Sequence, residues 1–385
     1  MPDEKLAAIR AQLPALARGV YLNNGTTGPL PVPAAEAMQA ALARELGQGR
    51  VDPMYFPEVF ATVRELRAAL ADLLGATPGE IALTANTTEG MNLALLSLRW
   101  RPGDEVITAT TEHPGGLFPV HVLRRRYGVT VRMADLTTPG PDPVEAVRRL
   151  ITPRTRLIAV SHVAWGTGEL YPIADLAELA HRHGALLAVD GAQGAGAVPV
   201  DLRSAGVDFY AFPGQKWLLG PEGTGGLYVR ADVQAELLPV FAGYFTAQAH
   251  NAHDFLPHPD ARRFEWGGRH PVALAGLLAA VRWLSREVGP GWAAARIQAL
   301  AARLRQRLGE VPGVRVVTPD RHAGLVTVQV EGMEPEAAAR ELLRRGFWIR
   351  SVPTPPGVRI SCGFYNTEEE IDRIAGALAD LARKT

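Results

Sequence analysis

Short apolar runs alternate with longer helical patterns between residues 81 and 230. Seven runs have the length and composition of buried strands; they cover 81–85, 105–109, 130–134, 157–161, 186–189, 209–212 and 227–230. Four stretches with apolar residues at helical spacing separate most of them; they cover 90–98, 118–127, 143–150 and 173–183. This alternation predicts an α/β fold with a mostly parallel, seven-stranded sheet and helices on both faces.

The pattern differs on either side of this region. In residues 4–18 the apolar side chains have the spacing of a short amphipathic helix. In residues 33–46 and 59–74 they have the spacing of longer helices. Beyond Arg263 come two long helical patterns, followed by mixed strands and helices typical of a smaller α+β unit. We therefore predict an N-terminal helix (1–18), a large α/β domain (19–276) and a small C-terminal α+β domain (277–385).

Composition excludes several classes of function. The net charge is zero and the pI is about 7.2, so no basic field is available for nucleic acid or an anionic membrane. The first residues lack the apolar core of a signal peptide, and the longest apolar helical pattern is interrupted by Arg282. One cysteine excludes an intrachain disulfide, and no Cys/His cluster has zinc spacing. We expect a cytoplasmic protein without a metal.

Lysine is rare in this chain. Of the 40 basic residues only three are lysines, namely Lys5 and Lys384 near the termini and Lys216 in the interior. Arginine supplies charge but keeps its proton, whereas a primary amine that loses its proton can form an imine. Lys216, between two apolar strands and beside Trp217, is therefore a candidate Schiff-base nucleophile. The alternative is a solvated loop lysine.

Polar residues follow several predicted strands, where ligands gather in such sheets. Thr87 and Thr88 stand at the start of a helix, which suits either a phosphate or a simple N-cap. Asp190 follows a buried strand and could pair with a pyridinium nitrogen or cap the next turn. His113 could lie flat on a planar ring or be an ordinary polar side chain.

Two further segments are candidates for contact with a substrate. Arg359, on a strand of the small domain, could hold a carboxylate through two parallel hydrogen bonds, although surface arginine is common in this chain. The turn-rich segment that contains Asn24 could lie over a site, because Gly25 and Gly28 allow close backbone approach. It could equally be only a connection.

Together these motifs resemble the class V aminotransferase family of pyridoxal-phosphate enzymes. The likeness runs from Tyr21 to the C-terminal helix, and its most specific parts are 189–193, 214–221 and 359–370. It is strongest toward the cysteine/cystine C–S lyases and the isopenicillin-N-epimerase-like members. The resemblance implies a fold type I pyridoxal-phosphate-dependent transferase, an amino acid substrate, and a homodimer with shared active sites.

The resemblance also implies roles for individual residues. Catalysis would involve Lys216, which binds the cofactor as a Schiff base, Asp190, which pairs with the pyridine nitrogen, and His113, which stacks on the ring. The remaining cofactor contacts would come from Thr87, Thr88 and Gln215 at the phosphate, Gln193 at the phenolic oxygen, and Gly268 in a turn that approaches the partner's phosphate. Substrate contacts would come from Arg359, Asn24 and Trp165.

Four positions depart from the pattern of the cysteine desulfurases or of many other family members. Gln215 replaces His, Pro213 replaces Ser, Gly268 replaces Thr and Trp165 replaces Asn. Two phosphate hydroxyls are therefore missing, and we expect the cofactor to bind through a different set of contacts.

The position of the single cysteine narrows the set of possible reactions. Desulfurases take sulfur on a loop cysteine before the arginine strand, but here the segment 350–357 is short and has no cysteine. Cys362 lies three positions after Arg359, so in a strand it points to the opposite face. Our leading hypothesis is β-elimination from cysteine, cystine or a related amino acid. The alternatives are an epimerase or an aminotransferase, and a cysteine desulfurase has less support. The alternative outside catalysis is an inactive relative that binds the cofactor.

Overall fold

The computed structural model of the chain describes residues 2–137 and 142–383, so Met1 and Lys384 lie outside the described residues. In this part of the chain the helices are α1 (Pro2–Ala11), α2 (Val32–Gln48), α3 (Tyr55–Leu74), α4 (Thr87–Leu96), α5 (Pro114–Tyr127), α6 (Pro143–Arg148), α7 (Ile173–Arg182), α8 (Leu202–Ala205), α9 (Pro271–Trp283), α10 (Pro290–Gly309), α11 (Pro335–Arg344) and α12 (Glu368–Ala382).

The strands are β1 (Val20–Tyr21), β2 (Ile81–Thr84), β3 (Glu105–Ala109), β4 (Thr130–Ala134), β5 (Thr155–Ser161), β6 (Leu186–Asp190), β7 (Phe209–Pro213), β8 (Gly225–Val229), β9 (Ala247–His250), β10 (Phe255–Pro257), β11 (Val314–Val316), β12 (Leu325–Val330), β13 (Phe347–Trp348), β14 (Arg350–Pro353) and β15 (Pro356–Ser361).

The central sheet has seven strands in the order β2-β8-β7-β6-β5-β3-β4. Strand β8 is antiparallel to both neighbours, and every other pairing between neighbours is parallel. The predicted mostly parallel, seven-stranded sheet is confirmed, and each predicted run corresponds to one of its strands. The carboxyl ends of β5, β6 and β7 lie side by side, which brings the residues that follow them together.

Both faces of this sheet are covered by apolar side chains. Leu187 and Val189 of β6 belong to one buried cluster, which includes residues of α3 and α7. Ala188, between them, belongs to a second cluster, which includes residues of α4 and α5. This alternation is the period of two that a strand buried on both faces requires.

The C-terminal part contains an antiparallel sheet in the order β11-β12-β15-β14. In β15 the side chains of Val358 and Ile360 lie in the apolar core of this unit, together with Cys362 just beyond the strand. Arg359 lies between them in sequence and therefore on the opposite face. The prediction that Cys362 and Arg359 point to opposite faces is confirmed.

Several predicted boundaries differ from the structure. The predicted helix 4–18 ends at Ala11, and Pro14 begins a separate 3₁₀ turn because proline cannot donate the next helical hydrogen bond. The antiparallel hairpin of β9 and β10 was not predicted, because its short strands alternate too few apolar residues to give a strand pattern.

The N-terminal segment packs against the C-terminal unit. Strand β1 pairs in parallel with β13, and Val20 and Leu22 pack in the same core as the small sheet. The predicted domain boundary near residue 276 falls inside α9 and stays a prediction. Among the described residues, no helix combines the length and apolar character needed to cross a bilayer.

Candidate active site

One cavity of about 240 Å³ lies where the carboxyl ends of the central strands face the small sheet. Its walls are the residues after β5, β6 and β7, the first turns of α4 and α5, the β14–β15 hairpin and the N-terminal segment around Gly25. The predicted site residues that share this cavity are Thr87, Thr88, His113, Trp165, Asp190, Gln193, Gln215, Lys216 and Arg359. The sequence motifs thus converge on a single site.

Lys216 lies in the tight loop after β7, in a setting that favours a neutral amine. Burial lowers the pKa of Lys216 to about 8, and the charges of Arg359 and Arg350 act in the same direction, while Asp190 opposes the shift. A lysine with this pKa has a substantial neutral fraction near pH 8, which is the form that reacts with an aldehyde.

Asp190 ends β6, directly beside the end of β7. Its Oδ1 accepts a hydrogen bond from the backbone N–H of Ala192 at 2.9 Å, while Oδ2 has no hydrogen bond from the described residues. Burial raises the pKa of Asp190, and the Ala192 hydrogen bond and Lys216 oppose that shift. A buried carboxylate with a free oxygen is suited to a cationic donor in the cavity, because such a donor offsets the cost of burial.

The first turns of α4 and α5 meet at one end of the cavity. Asn86 caps α4 by accepting from the backbone N–H of Glu89 at 2.9 Å, which leaves the earlier N–H groups of the helix free for an anion. A Cβ on Gly115 would lie 2.6 Å from Oγ1 of Thr88, so glycine is required for this close approach. The arrangement brings two helix N-termini to one end of the cavity, which suits the predicted contact with a phosphate.

His113 caps α5 and also contacts Trp165. Its Nδ1 accepts from the backbone N–H of Gly115 at 3.0 Å, and its ring meets Trp165 edge to face with centroids 5.1 Å apart. Burial, together with the charges of Lys216, Arg359 and Arg350, lowers the pKa of His113 to about 4. The imidazole is therefore neutral at physiological pH.

Gln193 is held by two protein contacts. Its Nε2 donates to the carbonyl of Gly25 at 2.8 Å, and its Oε1 accepts from the indole of Trp217 at 2.9 Å. The second N–H of Nε2 is the group left for the predicted contact with a phenolic oxygen. Gln215, also in the cavity, has a buried Oε1 without a hydrogen-bond partner among the described residues.

Two arginines form the wall contributed by the small sheet. Arg350 of β14 and Arg359 of β15 are direct partners in the antiparallel register, and both line the cavity. Arg359 is 1% exposed and donates to the carbonyl of Trp165 at 3.0 Å and to Oγ1 of Thr26 at 3.1 Å. Burial and the charge of Arg350 lower the pKa of Arg359 to about 9, so it stays charged at pH 7.

Two predicted site residues are not part of the cavity lining. Asn24 is fully buried beside it, where Oδ1 accepts from the hydroxyl of Tyr365 at 2.8 Å. Gly268 is in an exposed turn, flanked by Arg269, which pairs with Glu89 of α4. The predicted contacts of Asn24 with a substrate and of Gly268 with a partner's phosphate stay predictions.

Sequence analysis did not single out Arg350, Thr26 or Glu112, which lie in or beside the site. Arg350 and Thr26 line the cavity, and Glu112 is buried behind it, where it accepts from the backbone N–H and hydroxyl of Ser161 at 3.0 and 2.6 Å. Ser161 is the register partner of Asp190. Arg350 could have been found from the sequence, because a hairpin with a two-residue turn at Thr354-Pro355 pairs Arg350 with Arg359.

The cavity's polar groups fit pyridoxal phosphate. Its lining carries three cations, Lys216, Arg350 and Arg359, but only one carboxylate, Asp190, so it favours anionic ligands. The free Oδ2 of Asp190, the unpartnered Oε1 of Gln215 and the free helix N-termini are polar groups that a ligand would satisfy. The described residues contain no cluster of three or more His, Cys, Asp or Glu side chains suited to a metal ion.

The chain's cysteine is far from this chemistry. Cys362 is fully buried in the apolar core of the small sheet, and burial raises the pKa of its thiol to about 12. A thiol in this setting stays protonated and has no access to the cavity on the opposite face of β15.

Comparison with known proteins supports the geometry. The family model described as "Aminotransferase class-V" matches residues 20–374. The chain is 35% identical to an isopenicillin N epimerase of Streptomyces clavuligerus (94% of each chain covered). It is 30% identical to a probable cysteine desulfurase of Methanothermobacter thermautotrophicus (97% of each covered).

Solved structures give a similar result. The cystine C–S lyase C-DES, in complex with its reaction product cysteine persulfide, superimposes with a TM-score of 0.92 at 31% identity, covering 96% of this chain and 99% of that one. A C-DES mutant has glycine covalently linked to its pyridoxal-phosphate cofactor. An apo cysteine desulfurase of Thermococcus onnurineus gives a TM-score of 0.90 at 28% identity, with 98% of each chain covered.

Proposed function

Since the chain belongs to the aminotransferase class-V family of pyridoxal-phosphate enzymes, we propose that it cleaves the carbon–sulfur bond of cystine, or of a related sulfur amino acid, by β-elimination. The observation that carries this proposal is the pair Arg350 and Arg359. Both line the cavity, and neither forms an ion pair with a carboxylate of the described residues.

Two unneutralised guanidinium groups side by side favour a substrate with two carboxylates. Like charges held in register destabilise a sheet unless an anion offsets them. Arg359, deep in the wall, would hold the α-carboxylate next to the reacting carbon, while the exposed Arg350 would hold a second carboxylate at the rim. Cystine carries a carboxylate at each end of its disulfide and matches this arrangement.

The described side chains supply the binding groups and the proton transfers. When bound, pyridoxal phosphate supplies an electron sink that makes the Cα–H bond of the substrate acidic. Asp190 would hold the proton on the ring nitrogen through its free oxygen, and the cavity end at α4 and α5 would hold the phosphate. Lys216 would carry the amine that holds the cofactor, and its Nζ would take the Cα proton of the substrate.

The fate of the sulfur follows from the missing thiol. Desulfuration needs an acceptor cysteine at the site, and Cys362 is buried in the opposite core. The sulfur must then leave with the product. In the elimination from cystine the Cα–H and Cβ–S bonds break, the sulfur leaves as cysteine persulfide, and hydrolysis of the remaining three-carbon unit gives pyruvate and ammonia.

We also propose that the enzyme works as a homodimer with shared sites. Gly268 lies in an exposed turn that is anchored by two ion pairs, Arg67 with Glu265 and Arg269 with Glu89. A turn held this firmly while exposing Trp266 is suited to reach a second copy's phosphate site. The position of this turn at the dimer interface is inferred from the family resemblance.

Epimerisation is the second candidate, because the chain is 35% identical to an isopenicillin N epimerase. An epimerase needs a second base on the opposite face of Cα from Lys216. Among the described residues that line the cavity, the other titratable groups besides the two arginines are Asp190, committed to the ring nitrogen, and neutral His113. This set favours elimination.

A substrate panel tests the proposal. The purified holoenzyme is incubated with cystine, cysteine, S-methylcysteine and alanine, without a keto acid, and pyruvate and the D-isomers are measured. We expect pyruvate from the sulfur amino acids, fastest from cystine, and none from alanine. Racemisation or amino transfer without pyruvate from any sulfur substrate would contradict the proposal.

A further inference from the structure

The hydroxyl of Thr26 lies between the two arginines of the cavity wall. Its Oγ1 accepts from Nη2 of Arg359 at 3.1 Å and lies 3.5 Å from Nη1 of Arg350, the outer limit of a hydrogen bond. The same hydroxyl donates to Oδ1 of Asn23 at 2.8 Å. Both lone pairs and the proton of this hydroxyl are therefore in use.

Thr26 belongs to a short segment, residues 23–28, which we call the strap. The strap is fixed at three other points: the N–H of Gly28 donates to the carbonyl of Gln215 at 2.7 Å, the carbonyl of Gly25 accepts from Gln193, and Asn24 accepts from Tyr365. None of these contacts involves the Thr26 side chain. The three points that fix the strap to the rest of the protein are therefore independent of its hydroxyl, whose bond within the strap is to Asn23.

We propose that Thr26 is a positioning residue for substrate selection, which orients both guanidinium groups for a ligand with two carboxylates; this inference rests on the proposed function. A guanidinium must be held in one plane to bind a carboxylate through two hydrogen bonds. For Arg359 the carbonyl of Trp165 fixes Nη1 and Thr26 fixes Nη2, so each terminal nitrogen retains one N–H for a ligand.

The effect of Thr26 differs between the two arginines. Arg359 is 1% exposed and keeps its contact with Trp165 if the hydroxyl is lost. Arg350 is exposed, and its other hydrogen bond is to the neighbouring carbonyl of Ser351, so without Thr26 nothing directs its Nη1 toward Arg359. Loss of the hydroxyl should therefore weaken recognition of the second carboxylate more than that of the first.

The experiment uses the holoenzyme and two ligands that lack a carbon–sulfur bond. One is 2,7-diaminosuberate, the all-carbon analogue of cystine, and the other is norleucine, which has one carboxylate. Their dissociation constants are measured from the change in absorbance of the bound cofactor, for wild type, Thr26→Val, Thr26→Ser and the neighbouring control Thr27→Val. Within residues 2–137 and 142–383, the hydrogen bond recorded for the Thr27 hydroxyl is to Glu222, at 3.5 Å.

We expect Thr26→Val to weaken diaminosuberate binding about tenfold, the value of one charge-assisted hydrogen bond, and norleucine binding about threefold or less. Thr26→Ser should restore wild-type affinity, and Thr27→Val should leave both constants unchanged. The absorbance of the ligand-free holoenzyme should be the same in all four proteins, since Lys216 is not touched.

Other outcomes overturn the inference in distinguishable ways. An equal loss for both ligands, or no recovery with Thr26→Ser, would mean that Thr26 only supports the local fold. Equal affinity of the wild type for both ligands would refute the two-carboxylate site itself. Neither result bears on elimination, which is measured separately as pyruvate from cystine.

Discussion

The floor and the wall of the cavity are built on different principles. The floor consists of Lys216 and Asp190, one cation and one anion, at the ends of neighbouring strands of the central sheet. The wall consists of Arg350 and Arg359, two cations with no carboxylate partner in the described part of the chain, and of Thr26, whose hydroxyl joins them from the N-terminal segment. The floor is electrically balanced for a bound cofactor, whereas the wall is unbalanced until an anionic substrate arrives.

The difference separates chemistry from selectivity. The floor is carried by the central sheet, whose strands β6 and β7 are fully or almost fully buried, which gives a rigid support. The wall depends on contacts between residues 333 positions apart in sequence. Changes in the floor should abolish the reaction with every substrate, and changes in the wall should alter which substrate is used.

The largest effect is expected from Lys216→Ala in the floor. Without the amine the covalent link to the cofactor and the base for the Cα proton are both lost, and turnover should fall by at least about 10²- to 10⁴-fold for every substrate. Pyruvate formation and the visible absorbance of the bound cofactor are the measurements. The matched control is Lys5→Ala. The amine of Lys5 lies over the ring of Trp292, 4.8 Å from its centroid, so this variant should leave pyruvate formation and cofactor absorbance unchanged.

A colourless wild-type protein after cofactor addition would contradict this account, as would unchanged spectra and rates in Lys216→Ala. Either result would favour a non-catalytic relative of the family.

The next effect is expected from Asp190→Asn. The amide oxygen can still accept from Ala192, but the charge that holds the ring proton is lost. We expect kcat to fall about 10- to 150-fold, the range for a hydrogen bond to a charged group, with a shifted cofactor absorbance. The control Asp201→Asn changes a helix cap at Ser204 outside the cavity and should have wild-type kinetics. An unchanged kcat of Asp190→Asn would show that Asp190 has no part in the chemistry of the floor.

In the wall, Arg350→Gln should act on one substrate class only. Its exposed guanidinium is screened by water, so we expect about a three- to tenfold loss in kcat/KM for cystine and no change for S-methylcysteine. The matched variant Arg359→Gln should reduce kcat/KM for both substrates by about 10- to 150-fold, because the proposal assigns Arg359 to the α-carboxylate that both carry. If both variants affect both substrates equally, the wall does not select a second carboxylate.

The smallest effect concerns the buried carboxyl of Glu112, below the floor. Burial raises the pKa of Glu112 from its ordinary value of 4.5 to about 7, and the nearby Asp190 adds to this shift, while the hydrogen bonds from Ser161 oppose it. Between pH 4.5 and 7 the unfolded chain ionises while the folded one keeps its proton. The contribution of this group to stability is therefore full below pH 4.5 and is lost as pH rises through 7.

Glu112→Gln should remove that slope. Glutamine can still accept from the N–H of Ser161 and donate to its hydroxyl, so the contacts are matched. We compare the melting temperature of the wild-type apoprotein with that of Glu112→Gln. The wild-type value should fall by a few degrees relative to the variant between pH 4.5 and 7, because its free energy of unfolding decreases by roughly 1–3 kcal/mol. Buried His162, whose pKa burial lowers to about 4, gives an opposite slope common to both proteins. Parallel curves would show that Glu112 is not protonated in the fold.

The floor could be predicted from sequence, because its residues follow apolar strands whose order and spacing are local patterns. Asp190 stands directly after one such run, and Lys216 lies four residues after the end of the next. The wall could be predicted only in part. Arg359 was recognised through its motif, but Thr26 contacts it through a strap that no periodicity describes, and Arg350 required the hairpin register. Glu112 was missed because its partner Ser161 is reached through a neighbouring strand rather than along the chain.

The most direct test of the account is the stoichiometry of the wild-type holoenzyme acting on L-cystine without a keto acid. Products are followed by mass spectrometry, with thiol trapping to preserve persulfides. The account predicts pyruvate, ammonia and cysteine persulfide in equal amounts. Conversion of L-cystine into its D-epimers, or transfer of its amino group to the cofactor, with no pyruvate formed would contradict it.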